Sequence, residues 1–195
     1  MSILNPFKLV LIKAVSVLSN LATIVVLGFL DLEILSAYVS ILAAGVMFSS
    51  VIDLGENNYN LKKSIQKGVW IRTISLPRFH YNLFRFLVFG ISVTLVCKFF
   101  PTEKMAASAV LQGVTNLLFM RIRTLYWRAD APALSVVYGE LVPGMYRAFA
   151  IPIFAFFDAF YIMPFLGGLG LGAFLTRGTL FRNEGVKLDE SKINN

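Results

Sequence analysis

One cysteine, one histidine and few charges set the first limits on this 195-residue sequence. With Cys97 alone no intramolecular disulfide can form, and with His80 alone a histidine-based metal cluster is excluded. Charged residues make up only 15% of the chain against 57% hydrophobic, and mean hydropathy is +0.72. That balance argues against an ordinary soluble domain and for an integral membrane protein. Signatures of catalysis are also missing. There is no histidine-plus-acid pair of the membrane-acyltransferase kind and no Asp-rich diphosphate motif, and the stretch GELVPG (139–144) lacks the lysine of a phosphate loop. No enzyme activity, cofactor or metal is expected. Alternating strands, which a membrane barrel needs, are absent as well, as are internal repeats.

What the chain does have is apolar runs. A helix needs roughly 20 residues, at about 1.5 Å each, to cross about 30 Å of hydrocarbon. Six runs approach this, at about 9–30, 34–52, 83–99, 105–120, 133–157 and 159–175. A spanning segment must satisfy its own backbone, so the expected fold is all-α: a polytopic bundle of about six transmembrane helices over 1–175, with a polar tail over 176–195. The charged, apolar start resembles a signal peptide, but Lys13 and Asn20 interrupt it and no cleavage site follows, so the first helix is expected to stay.

The basic residues orient the bundle. All but three of the 18 Lys and Arg fall on one side of the six-helix layout; Lys98 and Lys104 lie opposite, and Arg147 lies inside the fifth helix. Positive loops face the cytoplasm, so both termini are expected there. The net charge of +7 is then a matter of topology, and no nucleic-acid partner is implied. The connector over 56–80 combines Leu61, Ile65, Val69, Trp70 and Ile71 with Lys62, Lys63 and Lys67, a pattern suited either to anionic membrane lipids or to a solvated loop.

Polar residues inside the runs select candidates for a site. Lys13, Ser16, Asn20 and Thr23 share one face of the first helix, and Ser108, Gln112, Thr115 and Asn116 share one face of the fourth. Each stripe is either glue between helices or the wall of a cavity. Glu140 and Arg147 lie two turns apart on the fifth helix, with Pro143 and Gly144 as a kink between them. A cation at membrane depth needs an anionic partner, so Arg147 either pairs with Glu140 or faces a substrate's phosphate. In the sixth helix Gly168 and Gly172 have the small-xxx-small spacing of a close helix contact.

These features occur in a recognisable order. A polar first helix is followed by AAGVMFSSVIDLGENNYNLKKSI (43–65), then AASAVLQGVTNLLFMRIRTLYWRAD (106–130), then YGELVPGMYRAFAIPIFAFF (138–157). Together they resemble the N-terminal half of the polysaccharide, or O-antigen, flippases of the multidrug/oligosaccharidyl-lipid/polysaccharide exporter superfamily. In that family the second helix commonly ends in an Asp-Leu-Gly step, matched here by Asp53, Leu54 and Gly55. The resemblance implies translocation of an undecaprenyl-diphosphate-linked oligosaccharide across the bacterial inner membrane by alternating access. It implies that Lys13 and Arg147 attract the diphosphate, while Asn20, Gln112 and Asn116 meet the sugar. Such flippases resemble two six-helix bundles, so a single bundle is expected to act as a half-size transporter, with a second copy or a separately encoded second half, or to be a truncated, inactive fragment. The alternative is a non-transporting membrane interaction protein.

Overall fold

Long apolar runs with few interior charges form long helices here, and local polar signals set some of their ends. The computed structural model describes residues 6–53, 78–128, 132–157 and 159–184. Helix α1 spans Pro6–Leu30 and α2 spans Leu32–Asp53. Asp31 alone separates them, and its Oδ1 accepts the Glu33 amide at 2.7 Å, capping α2. Helix α3 covers Arg78–Phe99 and α4 covers Glu103–Arg128, the latter begun by Thr102, whose Oγ1 accepts the Met105 amide. Three helical pieces then follow without a break: α5 (Pro132–Val136), a π-helical turn (Val137–Leu141) and α6 (Val142–Phe156). Helix α7 runs over Met163–Glu184.

The described residues are helical rods and short connections, with no strand among them. Among the described residues three helical stretches are long and apolar enough to cross a membrane, Leu9–Leu30, Leu32–Asp53 and Glu103–Thr124. Several boundaries differ from the sequence reading: α3 begins at Arg78, five residues before the third run, and α7 begins at Met163, four residues into the sixth. Helix α4 continues past Met120 to Arg128, and α7 past Leu175 to Glu184, because backbone hydrogen bonding persists where apolar character fades. Arg121 and Arg123 therefore lie on a helix, where the hydropathy pattern placed a loop. Gly55, the connector after it and the residues beyond Glu184 lie outside the described residues; Asp53 closes α2 and is buried.

Helix α4 is the central rod, with α2, α3, α5, the π turn and α7 against it; α1 is held against α6. One apolar cluster joins Leu27 of α1, Ala37, Tyr38 and Ile41 of α2, Ala109 of α4, Ile151 and Ala155 of α6, and Phe160 and Phe165 at the start of α7. Val96 and Phe100, where α3 ends, pack against it. The ends of α1, α3 and α6 thus meet the beginnings of α2, α4 and α7, so successive rods alternate in direction. In lipid, association rests on close packing more than on solvent exclusion, which favours small residues at crossings. Here Gly45 lies on Gln112 and Gly113, and Gly113 on Phe48.

Hydroxyl groups in the rods are mostly satisfied within their own helix. Thr23 donates to the Ser19 carbonyl, Ser108 to that of Lys104, Thr115 to that of Leu111 and Thr176 to that of Gly172, each at 2.7–3.0 Å. Much of each polar stripe is therefore backbone-satisfied helix surface, with no cavity needed to explain it.

Candidate functional site

The side chains that are not self-satisfied meet halfway along α4 and α6. The rod of the π turn and α6 runs antiparallel to α4: Arg123 pairs with Glu140 of the π turn, and seven residues farther along each rod Asn116 and Arg147 line one crevice. Between the second pair lies a crevice lined by Gln112, Thr115, Asn116 and Phe119 of α4, Pro143, Tyr146, Arg147 and Ile151 of α6, and Pro164, Phe165 and Gly168 of α7. Its free volume is about 20 Å³, room for about one water.

Inside it Gln112 Nε2 donates to Asn116 Oδ1 at 2.8 Å, across one turn of α4. Both N–H groups of Asn116 remain without an acceptor among the described residues. Arg147 Nε donates to the Pro143 carbonyl at 3.2 Å. Pairing of Arg147 with a carboxylate does not occur among the described residues, and its terminal nitrogens are available for an anion. The buried Tyr38 phenol lies within electrostatic reach of the guanidinium. Tyr146 is held by its hydroxyl, which donates to the Pro164 carbonyl at 2.7 Å, and its ring lies on Gly167 and Gly168. Gly168 also meets Thr115, and Gly172 meets Leu118 and Phe119, so both glycines of the expected pair face α4.

Glu140 answers the pairing question left open by spacing. Its Oε1 lies 3.2 Å from Nη1 of Arg123, with the two side chains 27% and 51% exposed. Arg147 is two turns, about 10 Å, farther along the rod, whereas Arg123 is directly across the interface. Glu140 sits on the π turn, where the Val142 amide donates to the Val137 carbonyl five residues back. Pro143 accounts for that turn: its ring would clash with the carbonyl four residues earlier and it has no N–H to give. Gly139 lets the turn approach the Arg123 side chain, Ser135 Oγ donates to the Arg123 carbonyl at 2.9 Å, and Tyr126 and Tyr138 stack at 5.2 Å. From the other side Ser16 Oγ donates to the Glu140 carbonyl at 3.1 Å.

Helix α1 contributes less than its stripe suggested. Its packed face follows Ser16, Thr23 and Leu27; Lys13 lies about 60° to one side of that line and Asn20 about 40°. Lys13 is accordingly exposed and outside the crevice, and Asn20 is half-buried and donates to its own helix at the Ser16 carbonyl. Of the six expected site residues, Gln112, Asn116 and Arg147 converge; Glu140 lies one layer away, and Lys13 and Asn20 lie apart.

Sequence reasoning missed Arg123, Tyr146 and Tyr38 as participants. Arg123 was legible only through the matching steps 116–123 and 140–147, which carry meaning once the π turn is known to lie on α4. A wider open hollow of about 370 Å³ lies at the clustered end of the bundle, between Glu33, Ser36 and Ser40 of α2, Met105 and Tyr161. Compared with protein-family models, curated proteins and solved structures, the chain matches none.

Proposed function

We propose that the protein is a multi-pass component of a bacterial inner membrane that takes part in moving an undecaprenyl-diphosphate-linked oligosaccharide across it, without enzymatic turnover. The observation that carries this reading is Arg147: a guanidinium in mid-bundle, without a described carboxylate partner, beside the amides of Asn116 and Gln112. A cation at that depth is costly, and an anionic group of a ligand offsets the cost. Amides and a tyrosine next to it suit sugar hydroxyls. The flippase-like order of sequence motifs supplies the ligand's identity.

Membrane topology in this reading is six spans with both termini cytoplasmic. The rods α3 and α7 have 22 residues each, about 33 Å, and the continuous rod from Pro132 to Phe156 is about 37 Å. Arg121, Arg123 and Arg128 lie toward one end of the alternating bundle, whereas Asp31, Glu33 and Glu103 lie at the clustered end. Positive-inside placement makes the first end cytoplasmic and the hollow by Glu33 external. A crevice with room for one water is a closed state, and transport requires it to widen as this bundle rocks against a second one.

The test is complementation in a bacterium lacking its own O-antigen flippase, read as surface glycan. Expression of the protein is expected to restore the glycan, and Arg147→Gln to abolish restoration at equal protein level. Restoration that persists undiminished with Arg147→Gln would favour a non-transporting interaction protein instead.

A further inference from the structure

The open hollow beside Glu33 gathers polar side chains that are committed to nothing else. It holds about 370 Å³, the size of a ligand site and far more than one water needs. Glu33, Ser36 and Ser40 of α2 line it together with Met105 of α4 and Tyr161. Among the described residues the Glu33 carboxylate, both serine hydroxyls and the Tyr161 hydroxyl have no hydrogen bond or ion pair. Exposure alone does not account for the serines. Ser50 and Thr94 are exposed too, yet each donates to the carbonyl four residues back on its own helix, at 2.8 and 2.9 Å. A hydroxyl facing hydrocarbon has no water to turn to, so one that leaves its own helix calls for another partner.

We propose that the hollow seats the headgroup of a zwitterionic phospholipid with a primary amine, the chemistry of phosphatidylethanolamine. The site lies apart from the crevice and goes beyond transport; it rests on one part of the reading above, that the helices span a bilayer. The stretches Leu32–Asp53 and Glu103–Thr124 begin at this end and Leu9–Leu30 finishes here, which puts the hollow at headgroup level. The order of groups down α2 then follows the order of groups in the lipid. Glu33 is outermost, Ser36 lies about 4.5 Å deeper and Ser40 about 10 Å deeper. Ala43 and Met47 continue the same face, within about 80°, as exposed apolar surface. In the lipid the ammonium is outermost, the phosphate and ester oxygens come next and the acyl chain follows. The carboxylate accepts from the ammonium, and the serine hydroxyls donate to the oxygens below it. The Tyr161 ring is set edge-on against Phe160 at 5.2 Å, and its hydroxyl is a further donor for those oxygens. Glu33 disfavours an anionic headgroup, and a trimethylammonium headgroup has no N–H to give it.

The test reads lipid preference on the purified full chain. The protein in mild detergent is equilibrated with equimolar dioleoyl phosphatidylethanolamine, phosphatidylcholine and phosphatidylglycerol, and the lipid retained after washing is counted by mass spectrometry. Phosphatidylethanolamine is expected to exceed each of the others about fivefold, the factor that one exposed charge-assisted contact supports. Glu33→Gln is expected to bring the ratios near one, and Ser36→Ala with Ser40→Ala to reduce retained phosphatidylethanolamine. Equal retention of the three lipids by the parent overturns the site, as does a preference that survives Glu33→Gln. A second reading needs no variant. In vesicles of phosphatidylethanolamine, a water-soluble carbodiimide is expected to couple the lipid amine to Glu33 in preference to Asp31 and Glu103, and a yield at Glu33 no greater than at those two overturns the assignment. Flotation with the vesicles checks the premise separately: protein that does not float overturns the bilayer placement and the site with it, and protein that floats without lipid preference overturns the site alone. Neither readout involves glycan export, so each stands or falls independently of the transport reading.

Discussion

Gly45 of α2 and Gly113 of α4 lie against each other at the point where the two helices cross. A methyl group on Gly45 would stand 2.7 Å from Cγ of Gln112 and 3.2 Å from the Gly113 amide nitrogen, and one on Gly113 would fall on the Phe48 ring. Two helices carrying ordinary side chains there could not approach as closely, and Gln112 would be pushed out of the crevice.

Enlarging either glycine is therefore expected to destabilise the bundle. Gly113→Leu should cost about 1–3 kcal/mol through overpacking and lower the thermal unfolding midpoint of the purified protein. Gly90→Ala is the matched control, since nothing lies within 4 Å of the added carbon, and helix propensity predicts no loss.

Arg147 distinguishes a functional cation from a structural one. No described carboxylate would be orphaned by its removal, so Arg147→Gln is expected to unfold at or above the parent temperature while losing glycan export. Arg147→Lys should also fail, because a point charge replaces the planar fork, with apparent affinity for an anionic ligand reduced about tenfold or more. Thermal unfolding and complementation on the same variants separate the two properties.

Charge coupling should follow the fold and not the spacing along one helix. A double-mutant cycle on stability is expected to give about 0.2–1 kcal/mol for Arg123 with Glu140, a half-exposed pair. The cycle for Arg147 with Glu140 is expected to give a value near zero. A larger coupling in the second cycle would place the ion pair elsewhere.

Tyr146 and Gly167 should prove non-additive. Tyr146→Phe removes a hydrogen bond to the Pro164 carbonyl, at a cost of about 0.5–1.5 kcal/mol. Gly167→Ala puts a methyl on the Tyr146 hydroxyl, so its cost is expected to fall when that hydroxyl is already gone. Unfolding midpoints of the two single variants and the double variant provide the comparison.

Much of the architecture can be read from composition and periodicity. Long apolar runs in a chain with 15% charge become helices because a backbone among apolar surroundings must bond to itself, and Asp31 and Thr102 mark starts that side-chain capping explains. Pro143 announced a distortion, though not that the rod would absorb it as a π turn and continue. The helix ends at Arg128 and Glu184 were hidden because hydropathy reports solvent preference, whereas a helix continues wherever its hydrogen bonds do.

The site was only half legible. Gln112, Asn116 and Arg147 stood out because polar groups in apolar helices demand partners, and they do gather in one crevice. Lys13 and Asn20 met the same criterion and lie elsewhere, since a stripe on a helix says nothing of which neighbour covers it.

The sequence by itself determined that the chain is helical and apolar, and which side chains would need company. Tertiary structure alone decided who the company is: Arg123 for Glu140, Gln112 for Asn116, and no described carboxylate for Arg147. The physical reason is one of range. Helix formation and capping act between residues up to about four apart, whereas charge pairing acts through space, along directions that exist only after the π turn has docked on α4.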